Sequence, residues 1–290
     1  MQKIVPHLWF DKEARDAAEF YVTLFEDSKI LNLNKIQDTP SGEVEIVDFM
    51  LSGMNFSAIS AGPYFTINPS VSLMVSCKNA EEVDRLYKEL SPGGMDLMPL
   101  GGYPFSKRYA WVQDKFGLSW QLFLTENIES GKRIRPNLLF SQEVCGRAEE
   151  ALSFYASVFE EVSKGFTNYY QEGEAFDKRA RINYSELNLF EKQFILMDHG
   201  QGGDFTFSEA FSFMVMCKNQ EEIDYYWEKL SYVPEAEQCG WIKDKFGLSW
   251  QIVPENLNKL LSRETEVETK KAYEKFLKMK KIDIAALKAL

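Results

Sequence analysis

Asp114-Lys115-Phe116-Gly117-Leu118-Ser119-Trp120-Gln121 recurs without a single change at Asp244-Lys245-Phe246-Gly247-Leu248-Ser249-Trp250-Gln251. Upstream, Cys77-Lys78-Asn79-Ala80-Glu81-Glu82-Val83-Asp84 is echoed by Cys217-Lys218-Asn219-Gln220-Glu221-Glu222-Ile223-Asp224. Further out, Ile4-Val5-Pro6-His7-Leu8-Trp9-Phe10 is echoed by Ile134-Arg135-Pro136-Asn137-Leu138-Leu139-Phe140. Three blocks in one order mean a duplicated domain.

The stretch between the second and third blocks is ten residues shorter in the second half. In the first half it includes Pro92-Gly93-Gly94 and Gly101-Gly102, the turn chemistry of an added or extended hairpin. The polar stretch 125–133 reads as a linker, which sets the domains at 1–124 and 134–254, followed by a C-terminal helical tail at 255–290. Within each half the periodicity predicts a short strand, a helix, three strands, and the same order again. Strands are expected at 4–10, 44–51, 55–59 and 71–77, with a hairpin pairing 109–113 to 118–124. Helical spacing of Ala14, Ala17, Ala18, Tyr21, Leu24 and Phe25 marks a helix over 13–25. A second helix starts from Asn79 as cap, with Glu82 as its capping-box partner. The fold class is α+β. In the tail, Tyr273, Phe276, Leu277, Ile284 and Leu287 recur at helical intervals and are expected to pack on the body.

A hydrophobic fraction of 45% with 27% charged residues is that of a globular chain. The formal charge of −11, from 33 basic and 44 acidic residues, argues against a broad nucleic-acid or anionic-membrane surface. No apolar run reaches the roughly 18 residues of a membrane span, and the first residues lack a signal-peptide core, so a cytoplasmic protein is expected. The four cysteines, Cys77, Cys145, Cys217 and Cys239, have neither disulfide-framework nor zinc-finger spacing and read as buried thiols. No phosphate loop, Gly-x-Ser-x-Gly or His-Glu-x-x-His motif occurs. The lysines at 270–271 and 278–281 alternate with acidic residues, the pattern of a solvated helix face.

The repeated blocks, above all Gly240-Trp241-Ile242-Lys243 continuing through Asp244–Gln251 to Ile252-Val253-Pro254, resemble the PhnB-like branch of the vicinal oxygen chelate superfamily, which includes glyoxalases, extradiol dioxygenases and bleomycin-resistance proteins. Pro6 with Leu8-Trp9-Phe10, and the tail around Lys278–Leu287, carry the same resemblance. It implies two tandem glyoxalase-like domains, each made of paired β-α-β-β-β units that form a cupped sheet. The branch is also labelled a demethylubiquinone methyltransferase. The chain has no glycine-rich loop between a parallel strand and a helix to hold a nucleotide-like cofactor, so methyl transfer is not expected.

In metal-dependent members of the superfamily, four strands each present one His, Glu or Gln to a metal that polarises vicinal oxygens. Carried over strand by strand, the resemblance implies His7, the 57–59 stretch, Ser72 and Gln121 in the first half. In the second half it implies Asn137, the 195–197 stretch, Ser212 and Gln251. Ser is a weak ligand, aliphatic side chains donate nothing, and neutral Gln lacks the charge that offsets metal dehydration. No metal site and no other cofactor is therefore expected. Asp198 and His199 could join an acid-base or metal site, although a loop-exposed histidine is the simpler reading.

Period-two alternation puts Leu118, Trp120 and Leu122 on one face and Ser119, Gln121 and Phe123 on the other; Leu248, Trp250, Ile252 and Ser249, Gln251, Val253 repeat this. The apolar faces should pack on helices. If the mixed faces line the cups, His7, Trp9 and Gln121 meet in one ligand cavity, with Asn137 and Gln251 in the other. Local backbone hydrogen bonding is the competing role for these polar groups.

The favoured function is capture of a small molecule in an apolar aromatic cup, as in the bleomycin-resistance relatives. A metal-assisted lyase, isomerase or dioxygenase is the second reading, and a duplicated scaffold with an interaction role the third. The expected partner is a small molecule, without nucleic acid or membrane. The duplication suggests a pseudo-dimer within one chain, open to further homo-oligomerisation. Whether each cup is completed within one half or by exchange of strands between halves stays open at this stage.

Overall fold

A computed structural model describes residues 2–39, 42–125, 128 and 131–289. The first repeat contributes β1 (Ile4–Phe10), α1 (Ala14–Leu24), β2 (Lys29–Thr39), β3 (Gly42–Leu51) and β4 (Met54–Ser60). These are followed by β5 (Val71–Cys77), α2 (Ala80–Leu90), β6 (Met95–Tyr103), β7 (Ser106–Gln113) and β8 (Ser119–Leu124). The second repeat gives β9 (Ile134–Phe140), α3 (Ala148–Val158), β10 (Val162–Tyr169), β11 (Ile182–Leu189) and β12 (Lys192–Asp198). It ends with β13 (Phe211–Cys217), α4 (Gln220–Leu230), β14 (Trp241–Lys243) and β15 (Ser249–Pro254), and the tail forms α5 (Leu257–Leu261), α6 (Glu266–Phe276) and α7 (Ile284–Lys288). Three of the four units are β-α-β-β-β as anticipated. The fourth has only two strands after its helix, because the ten missing residues are those that build β6 in the first repeat.

The chain divides into one compact unit of Pro6–Phe211 and another of Met1–Val5 with Ser212–Leu290. In the larger unit, eight strands run in the order β10-β11-β12-β9-β5-β8-β7-β6. Its halves come from different repeats. β5 pairs with β8 in parallel and with β9 antiparallel, through Val71 to Leu138 and Ser72 to Asn137. β9 in turn pairs with β12 in parallel. The question left open by the sequence is thus answered for this sheet, in which strands of the two repeats complete one another. The same unit holds β1 from Pro6 onward, with β4, β3 and β2 as neighbours, His7 opposite Ser57 and Ser57 opposite Asp48.

The repeated octapeptide explains itself at the β7–β8 turn. One oxygen of Asp114 accepts the backbone N–H groups of Phe116 (2.8 Å) and Leu118 (3.1 Å). The other accepts Trp120 Nε1 and the Tyr21 hydroxyl, both at 2.8 Å. Gly117 closes the turn at φ 87°, a region open to glycine. Trp120, fully buried, packs on Tyr21 of α1 and on Phe25, so the apolar face of β8 meets a helix as expected. Asp244 repeats the pattern with Phe246, Leu248 and Trp250. Asn79 caps α2 by accepting the Glu82 N–H at 2.8 Å, while the Glu82 carboxylate accepts the N–H of Lys78, one residue before the cap expected to pair with it.

In the smaller unit, β14, β15 and β13 are neighbours and the tail folds onto them. Leu260, Leu261, Ala272, Ile282 and Leu287 form a buried cluster with Val253, against which Met214 and Met216 pack. Those last three side chains lie on the same strand faces as Gln251 and Ser212. The backbone N–H groups of Cys239 and Gly240 donate to Met279 and Lys280, so the tail lies against the segment where the second repeat is short.

Candidate functional site

One face of the eight-stranded sheet carries a connected line of buried polar side chains. Tyr109 donates to Gln121 Oε1 at 2.8 Å, and Gln121 Nε2 donates to Ser72 Oγ at 2.8 Å. Asn137 Nδ2 donates to the same hydroxyl at 3.2 Å. Asn137 is 0% exposed, and its Oδ1 has no hydrogen-bond partner among the described residues. Burial pushes the Tyr109 hydroxyl well above its ordinary range, which keeps it a donor.

An aromatic wall stands beside this line. Trp111 is directly opposite Gln121 in the β7–β8 ladder and donates from Nε1 to Ser119 Oγ at 3.3 Å. The His199 ring lies edge-on to Trp111 with centroids 6.5 Å apart, and 5.3 Å from Phe205. His199 is half-buried instead of loop-exposed, and burial lowers its pKa. Asp198 is not available for chemistry: it is fully buried and accepts the backbone N–H groups of Gly146, Ala148, Arg181 and Ile182 at 2.8 to 3.1 Å. Its role is to hold the ends of β11 and β12 together.

The grouping of the candidate residues therefore differs from expectation. Gln121 meets Asn137, not His7, because β5–β8 pair with β9–β12. His7 is on β1, in a different set of strands, beside Ser57, and burial drives its pKa down to about 3, so the imidazole is neutral at physiological pH. Trp9 shares the His7 face, donates from Nε1 to the Gly62 carbonyl at 2.8 Å and packs edge-on to Phe65. Gln251, in the smaller unit, donates to Ser212 Oγ at 3.0 Å, repeating the Gln121–Ser72 bond. His199 is a candidate from sequence, whereas Trp111, Phe205 and Tyr109 carry no sequence motif of their own. The parity of 109 and 111 with 121 across the hairpin was the available signal for the two β7 residues.

Of the positions that the resemblance implies as metal ligands, Ser72, Gln121, Asn137 and Ile195 lie on the neighbouring strands β5, β8, β9 and β12. This set does not fit a divalent ion. It is neutral, one member has no donor, and Gln121 Oε1 and Ser72 Oγ are already engaged by neighbours. Among the described residues no three of His, Cys, Asp and Glu cluster closely enough to hold a metal. Between β5 and α2 the chain runs through Lys78 and the cap Asn79 without a glycine, and at Gly146, before α3, an added Cβ would strike the Arg179 carbonyl, so neither of these two connections is an open glycine-rich loop.

Paired β-α-β-β-β units whose four central strands converge on one face define a tandem glyoxalase-like protein of the vicinal oxygen chelate superfamily. The chain belongs to the PhnB-like family described as 3-demethylubiquinone-9 3-methyltransferase, whose profile matches residues 2–123 and again 132–253. The PhnB protein of Bacillus cereus is 38% identical over 43% of this chain and 100% of its own, with a TM-score of 0.41. A Staphylococcus aureus protein is 37% identical over 43% of this chain and 97% of its own, with a TM-score of 0.19. Glyoxalase I of Zea mays covers 88% of this chain and 95% of its own at 11% identity and a TM-score of 0.54, a likeness of fold. No curated protein matches the chain.

Proposed function

We propose that this protein captures a small planar organic molecule on the polar face of the eight-stranded sheet, against the Trp111 wall. One observation carries the reading: Asn137 is wholly buried with an acceptor left over, next to a Gln121–Ser72 pair already fixed by Tyr109. Unsatisfied buried acceptors are unfavourable, and a ligand N–H or O–H at this position would relieve one. Trp111 and Phe205 supply the apolar and stacking surface that planar ligands need. His7 and Trp9, which share one face of β1, form on this reading a second ligand-binding face within the larger unit, and Gln251 is taken separately as a ligand-binding residue of the smaller one.

The neutral donor set gives no support to metal-assisted chemistry. A cytoplasmic setting is part of the proposal, supported by free thiols at Cys77 and Cys217 that burial pushes up to about 12. No helix among the described residues is long and apolar enough to cross a membrane. A relative whose whole length matches 43% of this chain supports reading the duplication as a dimer fused into one polypeptide.

Saturation-transfer NMR with indole, quinoline and benzamide on the full chain tests the proposal. Binding that is lost in Trp111→Ala and weakened about tenfold in Asn137→Leu is expected, one hydrogen bond in a dry site being worth about 1.5 kcal/mol. Binding unaffected by both substitutions would move the site elsewhere.

A further inference from the structure

Two residues before Asn137 on the same face of β9 stands Arg135, which is 8% exposed. The matching position in the first repeat is Val5, so this charge is a feature of the second repeat alone. Its hydrogen-bond partners among the described residues are all neutral. Nη1 donates to the Tyr184 hydroxyl at 3.1 Å and to Gln193 Oε1 at 3.3 Å, and Nη2 donates to Ser76 Oγ at 3.1 Å. Nε is buried and has no partner among the described residues. Among the described residues no carboxylate forms an ion pair or hydrogen bond with it. Glu186 is reached only through Tyr184, whose hydroxyl accepts from Arg135 while donating to Glu186 Oε1 at 3.0 Å. The other Glu186 oxygen is taken by the Phe166 N–H at 3.2 Å. Glu186 thus fixes Tyr184 with its oxygen toward the guanidinium and leaves the cation without a direct counter-ion.

A buried guanidinium with five donors and only neutral acceptors is unfavourable unless something negative completes it. Apolar replacement of buried ionic groups is often neutral or stabilising, so stability alone does not explain its presence. Arginine matches the planar, two-oxygen edge of a carboxylate better than any other side chain. We infer that Arg135 binds the oxyanion end of the captured molecule, which makes the ligand class a small planar organic acid. The acid group sits at Arg135, and the remainder lies toward Asn137, Gln121 and Trp111. The inference rests on the capture reading given above and specifies its ligand.

Matched acids and amides separate the two claims: benzoate with benzamide, and indole-3-acetate with indole-3-acetamide, titrated into the full-length protein and into Arg135→Met and Arg135→Gln. The expected result is that each acid binds at least tenfold more tightly than its amide, and that both variants lose this preference while retaining the amide. Arg135→Met should also melt at or above the native temperature. Equal binding of acid and amide to the native protein, or an acid preference that survives both substitutions, overturns the inference and leaves the capture reading standing. Failure of both variants to fold, or a loss of 10 °C or more in both, also overturns it by making Arg135 a structural residue. No binding of any of the four compounds to the native protein overturns the capture reading and this inference with it.

Discussion

Both oxygens of Asp114 are filled by two backbone N–H groups, an indole N–H and a phenol, so this one carboxylate ties a turn, a strand and a helix together. Asp114→Ala would leave the Trp120 and Tyr21 donors buried without partners, and a loss of about 3 kcal/mol is expected. Chemical denaturation should show it as a lower midpoint with an unchanged slope. His7 makes a separate prediction. Its pKa is about 3 in the folded protein and near 6.5 when unfolded, so between these values the unfolded chain holds the extra proton. The contribution to stability is complete above pH 6.5 and is lost progressively as pH falls toward 3. At pH 5 the loss is about 2 kcal/mol, by 1.4 kcal/mol per pH unit. His7→Gln should flatten that part of the pH–stability curve; an unchanged slope between pH 7 and 5 would mean that the imidazole is hydrated.

Among the elements, the tail makes the strongest demand. Its five buried residues cover Val253, Met214 and Met216, and each buried aliphatic side chain contributes roughly 1.5 kcal/mol or more. Removal of residues 255–290 should therefore lower Tm by on the order of 10 °C and increase binding of an apolar dye. An unchanged Tm would reduce the tail to an appendage. The helical intervals at Tyr273, Phe276 and Leu287 made this packing readable in advance, as period two did for the faces of β8 and β15. The choice of strand neighbours was not readable. β1 and β9 share one pattern, as do β5 and β13, and hydrophobic alternation specifies which face is buried but not which copy of a repeated strand lies alongside. Arg135 was passed over for a related reason: within its block it is the one charged position, and only the packed structure shows that its surroundings are neutral. Trp111 escaped notice because its meaning depends on His199 and Phe205, brought close from the other repeat.

Across the whole molecule, the β5–β9 ladder makes the halves of the duplication dependent on each other. Five registered pairs, from Val71–Leu138 to Val75–Ile134, join strands from opposite sides of the linker, and the Asn137–Ser72 bond lies among them. A half on its own would expose the free edge of β5 or of β9, which are buried central strands of the sheet. Chains of 1–128 and 129–290 should then be insoluble or form aggregates when produced singly. Produced together, they should copurify in a 1:1 complex that recovers acid binding, since Gln121 and Ser72 come from one piece and Asn137 and Arg135 from the other. If each piece were instead a stable monomer with its own binding activity, the shared sheet would have no functional meaning, and the site would have to be rebuilt within a single repeat.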